Sequence, residues 1–174
     1  MKQVAGNLII ALTFQMLLSA CGNTTHNANY DPAKVRQEFR DMLIAYGIAV
    51  ERGYADSTIS YFAERDDFFI HSDGKNYSLE DLKKEIREEW HSSTSPRTLK
   101  NIWNEMDITL LDENAAVCFG KIDEVETDKN ELGTRPLKIT VDATFAGTRE
   151  DGKWKIAYIH AFHKMIYDST KSVR

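Results

Sequence analysis

Residues 137–166 read LKITVDATFAGTRE, then Asp151-Gly152, then KWKIAYIHAFHKMI. Apolar and polar residues alternate up to a Glu-Asp-Gly turn and resume beyond it, the pattern of two antiparallel strands joined by a tight connection. Side chains two apart share a face of a strand. Trp154, Ile156, Tyr158, His160 and Phe162 are therefore expected on one side of the last strand, with Lys155, Ala157, Ile159, Ala161 and His163 on the other.

Upstream of this hairpin, 97–111 and 115–127 are two more long strand-like runs, set off by polar turns at 112–114 and 128–133. Helical patterns come earlier. Asp31-Pro32 supplies an N-cap and a proline for the first helical position. Val35, Phe39, Met42, Leu43, Tyr46, Ala49 and Val50 then recur at spacings of three and four until Gly53 can end the helix. Asp56-Ser57 is expected to cap a short second helix, 67–71 reads as a strand, and Ser72-Asp73-Gly74-Lys75 turns it back. Ser78 and Asp81 form a capping box for a third helix with Leu79, Leu82, Ile86 and Trp90 along its apolar edge. Glu80, Asp81, Lys83, Lys84, Glu85, Arg87 and Glu88 read as its solvated face.

Helices first and a strand meander afterwards predict an α+β domain over 31–166, a cone-shaped curved antiparallel sheet with the amino-terminal helices packed on its concave face. Strands this long must twist, and a sheet that curves around helices leaves room for a pocket. At 174 residues, 42% hydrophobic and 28% charged, the chain suits one globular domain. Its net charge of −5 is spread without a basic block, which argues against nucleic acid as a partner.

The first 21 residues are of another kind. Lys2 gives a basic start, and 8–18 is an apolar run broken only by Thr13 and Gln15. Leu18-Ser19-Ala20-Cys21 follows and resembles a bacterial lipobox, in which the Cys becomes diacylated. The expected organisation is a signal peptide over 1–21 with lipidation at Cys21, a polar tether over 22–30, the domain, and a tail over 167–174. Gly22 after the Cys resembles the sorting preference for the periplasmic face of the outer membrane. Lipidation would leave Cys118 alone, without an intrachain disulfide, and its apolar neighbours predict a buried, inert thiol.

Thr144, Gly152, Trp154-Lys155-Ile156 and His160, together with FIHSDGKNYSL at 69–79, resemble the SnoaL-like domains of the nuclear-transport-factor-2-like superfamily. The resemblance implies the cone fold, a pocket-facing His160 and dimerisation through the convex sheet face. Phe162 stands where that family often has a small hydroxyl residue, giving a more apolar pocket floor. A three-residue or bulged connection at 151–153 would pair Glu150 with Trp154, setting Thr144 opposite His160 and Asp142 opposite Phe162. A two-residue turn would shift the register by one and send Asp142 and Thr144 to the other face. The resemblance favours the first arrangement.

In that arrangement Asp142 orients the His160 imidazole and raises its pKa. Those two are the candidate acid–base pair, and Tyr46, Trp103, Asp142, Thr144, Tyr158 and His160 the expected contacts of a small apolar or carboxylate-bearing ligand. Tyr46 across from Asp142 would resemble the phenol and carboxylic acid of ketosteroid isomerases. His160 and His163, three apart on a strand, point to opposite faces and cannot share a metal, and His163 is expected on the outer face or at an interface. No phosphate-binding glycine loop, nucleophile elbow or paired-cysteine spacing is present, so no cofactor is expected. The convex face, expected to carry Ile139, Val141 and Phe145, could instead pair two copies, leaving the pocket vestigial.

Overall fold

The computed structural model describes residues 30–92, 98–130 and 133–166. The expected leader, Cys21, nearly all of the tether and the carboxy-terminal tail lie outside the described residues. Helix α1 (Pro32–Glu51) begins where the sequence places it, with Asp31 Oδ1 accepting from the backbone N–H groups of Ala33 and Lys34 and Pro32 in the first turn. It ends at Arg52, and Gly53 follows at a φ of 64°. Helix α2 (Ala55–Ile59) lacks the expected side-chain cap, because its N-cap is Tyr54 and Asp56 falls inside its first turn.

Strands β1 (Phe69–Ser72) and β2 (Lys75–Ser78) form a hairpin whose two turn residues, Asp73 and Gly74, both have positive φ. Helix α3 (Leu79–Ser92) opens on a reciprocal box: Ser78 Oγ accepts from the Asp81 N–H, and the Asp81 carboxylate accepts from the Ser78 N–H. The chain then runs through β3 (Thr98–Leu110), β4 (Ala115–Asn130), β5 (Gly133–Glu150) and β6 (Lys153–Ile166). The sheet order is β2-β1-β6-β5-β4-β3. Its last four strands are the predicted antiparallel meander, but β1 joins β6 in parallel, so the sheet is mixed rather than wholly antiparallel. It curves without closing, and the helices pack on its concave side.

The β5–β6 turn is of the two-residue kind. Glu150 pairs with Lys153, and Asp151 and Gly152 sit at φ 50° and 75°. A second irregularity restores the register that a longer loop would have produced. Gly147 pairs with Ile156 but Ala146 pairs with Tyr158, so Ala157 is an extra residue in β6. Thr144 therefore does lie opposite His160, and Asp142 opposite Phe162.

The bulge also reverses which side chains face inward. Trp154 and Ile156 are buried before it, Ile159 and Ala161 after it, while His160 and Phe162 are exposed. The expectation that Trp154, Ile156, Tyr158, His160 and Phe162 share one face fails at that point. Strand β3 carries a matching bulge at Asn104, between Trp103 and Glu105, and both bends add to the curl of the sheet.

The deepest packing lies under α1. Phe39 is fully buried, with its ring 4.9 Å from that of Trp154, and burial of one such side chain stabilises by about 1.5–3 kcal/mol. Gly147 makes the approach possible, since a Cβ there would lie 2.2 Å from Phe39 Cε2. Arg149 stacks on Trp154 at 5.0 Å and pairs with Glu38 of α1. Replacing Gly147 by Ala must displace Phe39, with an expected cost of about 1–3 kcal/mol. A urea midpoint unchanged by Gly147→Ala would contradict this packing.

Candidate functional site

Strand register lays the concave floor out in rows. Trp103, Ile122, Val141 and His163 form one row across β3 to β6. Gly120, Ala143, Ala161 and Ser72 form the next across β4, β5, β6 and β1, and Cys118, Phe145, Ile159 and Ile70 the one after. The middle row is small at every position: Trp103 covers Gly120, and a hollow is left above Ala143, Ala161 and Ser72. That hollow is a cavity of about 300 Å³, roofed by Tyr46, Gly47 and Val50 of α1 and by Leu82, Glu85 and Ile86 of α3.

One aromatic wall is built from Tyr46, Trp103 and Phe145, with ring centroids 5.7 Å apart for Trp103 and Phe145 and 6.3 Å apart for Tyr46 and Phe145. Gly120 lets the indole lie flat on the sheet, since a Cβ there would meet Trp103 Cζ3 at 2.7 Å. Burial raises the Tyr46 phenol far above its ordinary pKa, with the Glu124 carboxylate adding to the shift, so this phenol stays protonated. Cys118, in the Phe145–Ile159 row of the floor, is fully buried, and burial pushes its thiol up to about 11, in keeping with an inert side chain.

Polar groups enter at two ends. Asn101 and Glu124 are cross-strand neighbours on β3 and β4. His163 lines the cavity from β6 and is held by the β1–β2 turn: its backbone N–H donates to Asp73 Oδ1 at 2.9 Å, and its Nδ1 lies 2.8 Å from Asp73 Oδ2. An ionised carboxylate only accepts, so Nδ1 carries the proton and Nε2 is the ring nitrogen left for a ligand. The His163 backbone N–H, followed by the ring's charge and hydrogen bond, holds the Asp73 carboxyl below the usual range.

Of the six expected contacts, the fold brings Tyr46 and Trp103 to the cavity. Asp142, Thr144 and His160 instead line a shallow depression on the convex side with Phe119 and Phe162. Tyr158 shares that side, its ring 4.7 Å from exposed Phe69. His160 stacks on His71 at 5.2 Å rather than being oriented by a carboxylate inside a pocket. The carboxylate nearest in effect to Tyr46 is that of Glu124, so the expected pairing of Tyr46 with Asp142 does not form. His160 and His163 do point to opposite faces, but His163 is the inner one.

Val141 and Phe145 are buried on the cavity side, and Ile139 shares their strand parity, so these three do not form the convex surface. Glu85, expected in solvent, lines the cavity, and Lys83 is largely covered by its ion pairs with Glu64 and Glu80. The signal that would have found His163 is the three-residue step between inward apolar residues Ile156 and Ile159, which marks the bulge.

No protein-family model matches this sequence, and no curated protein sequence does. Solved structures share its architecture. A nuclear-transport-factor-2-like protein of unknown function from Shewanella oneidensis MR-1 superposes with a TM-score of 0.53 at 19% identity, covering 72% of this chain and 97% of its own. A ketosteroid isomerase-like protein from Erwinia carotovora atroseptica gives 0.56 at 16% identity, over 74% and 95% of the two chains. A dehydratase candidate of the nuclear-transport-factor-2-like family from Streptomyces avermitilis gives 0.61 at 12% identity, over 78% and 100%. The domain therefore has the nuclear-transport-factor-2-like cone fold, and these low identities speak to fold alone.

The His163–Asp73 pair makes a spectroscopic prediction. In its neutral form the ring should be the Nδ1-protonated tautomer, and Asp73→Ala should return it to the commoner Nε2–H form. Asp73's lowered pKa means its contribution is complete above the ordinary carboxylate range and is lost only as pH falls through the lowered value. An Nε2–H ring in the unmodified protein, read from two-bond nitrogen–proton spectra, would contradict the assignment.

Proposed function

We propose that this protein is an envelope lipoprotein whose SnoaL-like domain binds a small, largely apolar molecule in the cavity between α1, α3 and the sheet, as a binding protein rather than an enzyme. The observation that carries the reading is the run of small residues Ala143, Ala161 and Ser72 on adjacent strands, which keeps about 300 Å³ open inside a floor that larger residues would fill. That volume is at the small end of ligand pockets, and apolar walls with a few polar groups are their usual composition. Anchoring rests on the sequence: an apolar leader, Leu18-Ser19-Ala20-Cys21 and a polar tether. No helix among the described residues is long and apolar enough to cross a membrane. A lipid at Cys21, on the periplasmic face of the outer membrane, would supply the attachment.

Two other readings each have an observation behind them. Phe119 and Phe162, 57% and 59% exposed on the convex side, favour pairing of two copies through that face. The His163–Asp73 pair favours proton-transfer chemistry of the isomerase or dehydratase kind named for two of the structural neighbours, with His163 in the role expected of His160.

Paired variants separate the first two. Ala161→Phe, or Ala143→Leu, should fill the hollow and abolish any co-purifying small molecule in native mass spectrometry, whereas His160→Ala should leave it. Phe162→Glu should convert a dimer to a monomer without loss of that ligand. Retention of the ligand by both cavity-filling variants sinks the binding reading. For the anchor, Cys21→Ser should move the protein from the detergent phase to the aqueous phase and end labelling by radioactive palmitate; unchanged partitioning would refute lipidation.

A further inference from the structure

His160 has a neighbour that its own stretch of sequence does not supply. The parallel pairing of β1 with β6 sets His71 directly beside it, with ring centroids 5.2 Å apart and ring planes inclined by 25°. Both rings stand on the convex side. Ile70 and Ser72 flank His71, Ile159 and Ala161 flank His160, and all four line the cavity, so alternation along each strand turns the two imidazoles outward. Strand β2 orients the first of them: the register partner of His71 there is Asn76, whose Oδ1 lies 2.6 Å from His71 Nδ1. An amide oxygen only accepts, so Nδ1 carries the proton and His71 Nε2 keeps its lone pair. A hydrogen bond to the far ring nitrogen is how proteins fix the tautomer and orientation of a metal-ligating imidazole. His160 is exposed.

We propose that His71 and His160 together chelate a late first-row transition-metal ion, Cu2+, Ni2+ or Zn2+, on the convex face. Imidazole nitrogens suit these ions, whereas Mg2+ and Ca2+ take oxygen ligands. Two metal–nitrogen bonds of about 2.1 Å at a tetrahedral angle put the two nitrogens roughly 3.4 Å apart. Rings on paired residues of adjacent strands, already 5.2 Å centre to centre, reach that separation by turning about their side-chain torsions, and the turn exchanges ring stacking for two metal–nitrogen bonds. The site is an open one. No group of three or more metal-ligating side chains comes together among the described residues. Asp142 lines the same face as His160 but lies diagonally from it across β5, at roughly 7–8 Å, within reach of a coordinated water and not of the ion. Lys121, the cation lining that depression, is paired with Glu105. Water, or a donor atom from outside this chain, completes the coordination. The site is independent of the cavity, which lies on the other side of the sheet.

The test is calorimetric titration of the full-length protein in detergent, carrying no polyhistidine tag, with Cu2+, Ni2+, Zn2+ and Mg2+ at a pH above the ordinary imidazole range. Cu2+ should bind tightest, Ni2+ and Zn2+ should follow, and Mg2+ should not bind. His71→Phe and His160→Phe, made separately, keep a ring at each position and should each lower Zn2+ affinity at least about tenfold. Asn76→Ala, which frees the His71 ring, should weaken binding as well. His163→Ala, on the opposite face, should leave it unchanged. Zn2+ should also raise the Tm of the unmodified protein and of His163→Ala, and should not raise that of the double variant carrying both Phe substitutions. Two results overturn the site: no ion binds the unmodified protein, or the Phe variants bind Zn2+ as tightly as it does.

Discussion

A single extra residue, Ala157, fixes the relation between the two faces of this sheet. Strand β6 leaves its turn with Trp154 and Ile156 directed at α1, and there the segment before β1 covers its edge: the Ile156 N–H donates to the Tyr61 carbonyl and the Ala63 N–H to the Ile156 carbonyl, both at 2.8 Å. Past the bulge, β1 takes over that edge, pairing in parallel from Tyr158 to Ala161. One strand thus serves two neighbours at different heights. An unbroken alternation would put Tyr158 and His160 where Ile159 and Ala161 now form the cavity floor.

Space inside the cone follows from the same register. Small residues on adjacent strands form a hollow only if they fall in one row, and Ala143, Ala161 and Ser72 do so because both the bulge and the parallel pairing hold. Larger neighbours on either side keep that row from collapsing. Phe145 and Ile159 fill the layer toward Phe62, and Trp103 lies over Gly120 as the end wall. Close packing is concentrated at the α1–Trp154 end, where Gly147 admits Phe39, and the cavity occupies the other end.

Charge is divided between the faces as well. Outside, carboxylates have cationic partners on the sheet, as in Lys121 with Glu105 at 3.0 Å and Lys138 with Asp123 at 2.8 Å. Hydrogen bonds from Lys138, Asn104 and Thr140 hold the Asp123 carboxyl down at about 2. Inside, Glu85 and Glu124 line the apolar hollow, and Glu124 has protein contacts of its own.

Local chemistry was legible in the chain. Asp31-Pro32 specified a helix start, Ser78 and Asp81 a capping box, and Asp73-Gly74 a tight turn, because each depends on backbone groups within a few residues. Four long strands after the helices implied the curved α+β architecture, and the resemblance of Leu18-Ser19-Ala20-Cys21 to a lipobox needs no fold to be read. The phase of the alternation was another matter. Periodicity says which residues share a face, yet a one-residue bulge reverses the assignment for everything beyond it, and that bulge depends on Gly147 opposite and on Tyr61 to Ala63 alongside. His163 rather than His160, and Val141 and Phe145 inside rather than outside, were therefore decided by contacts between segments far apart in sequence.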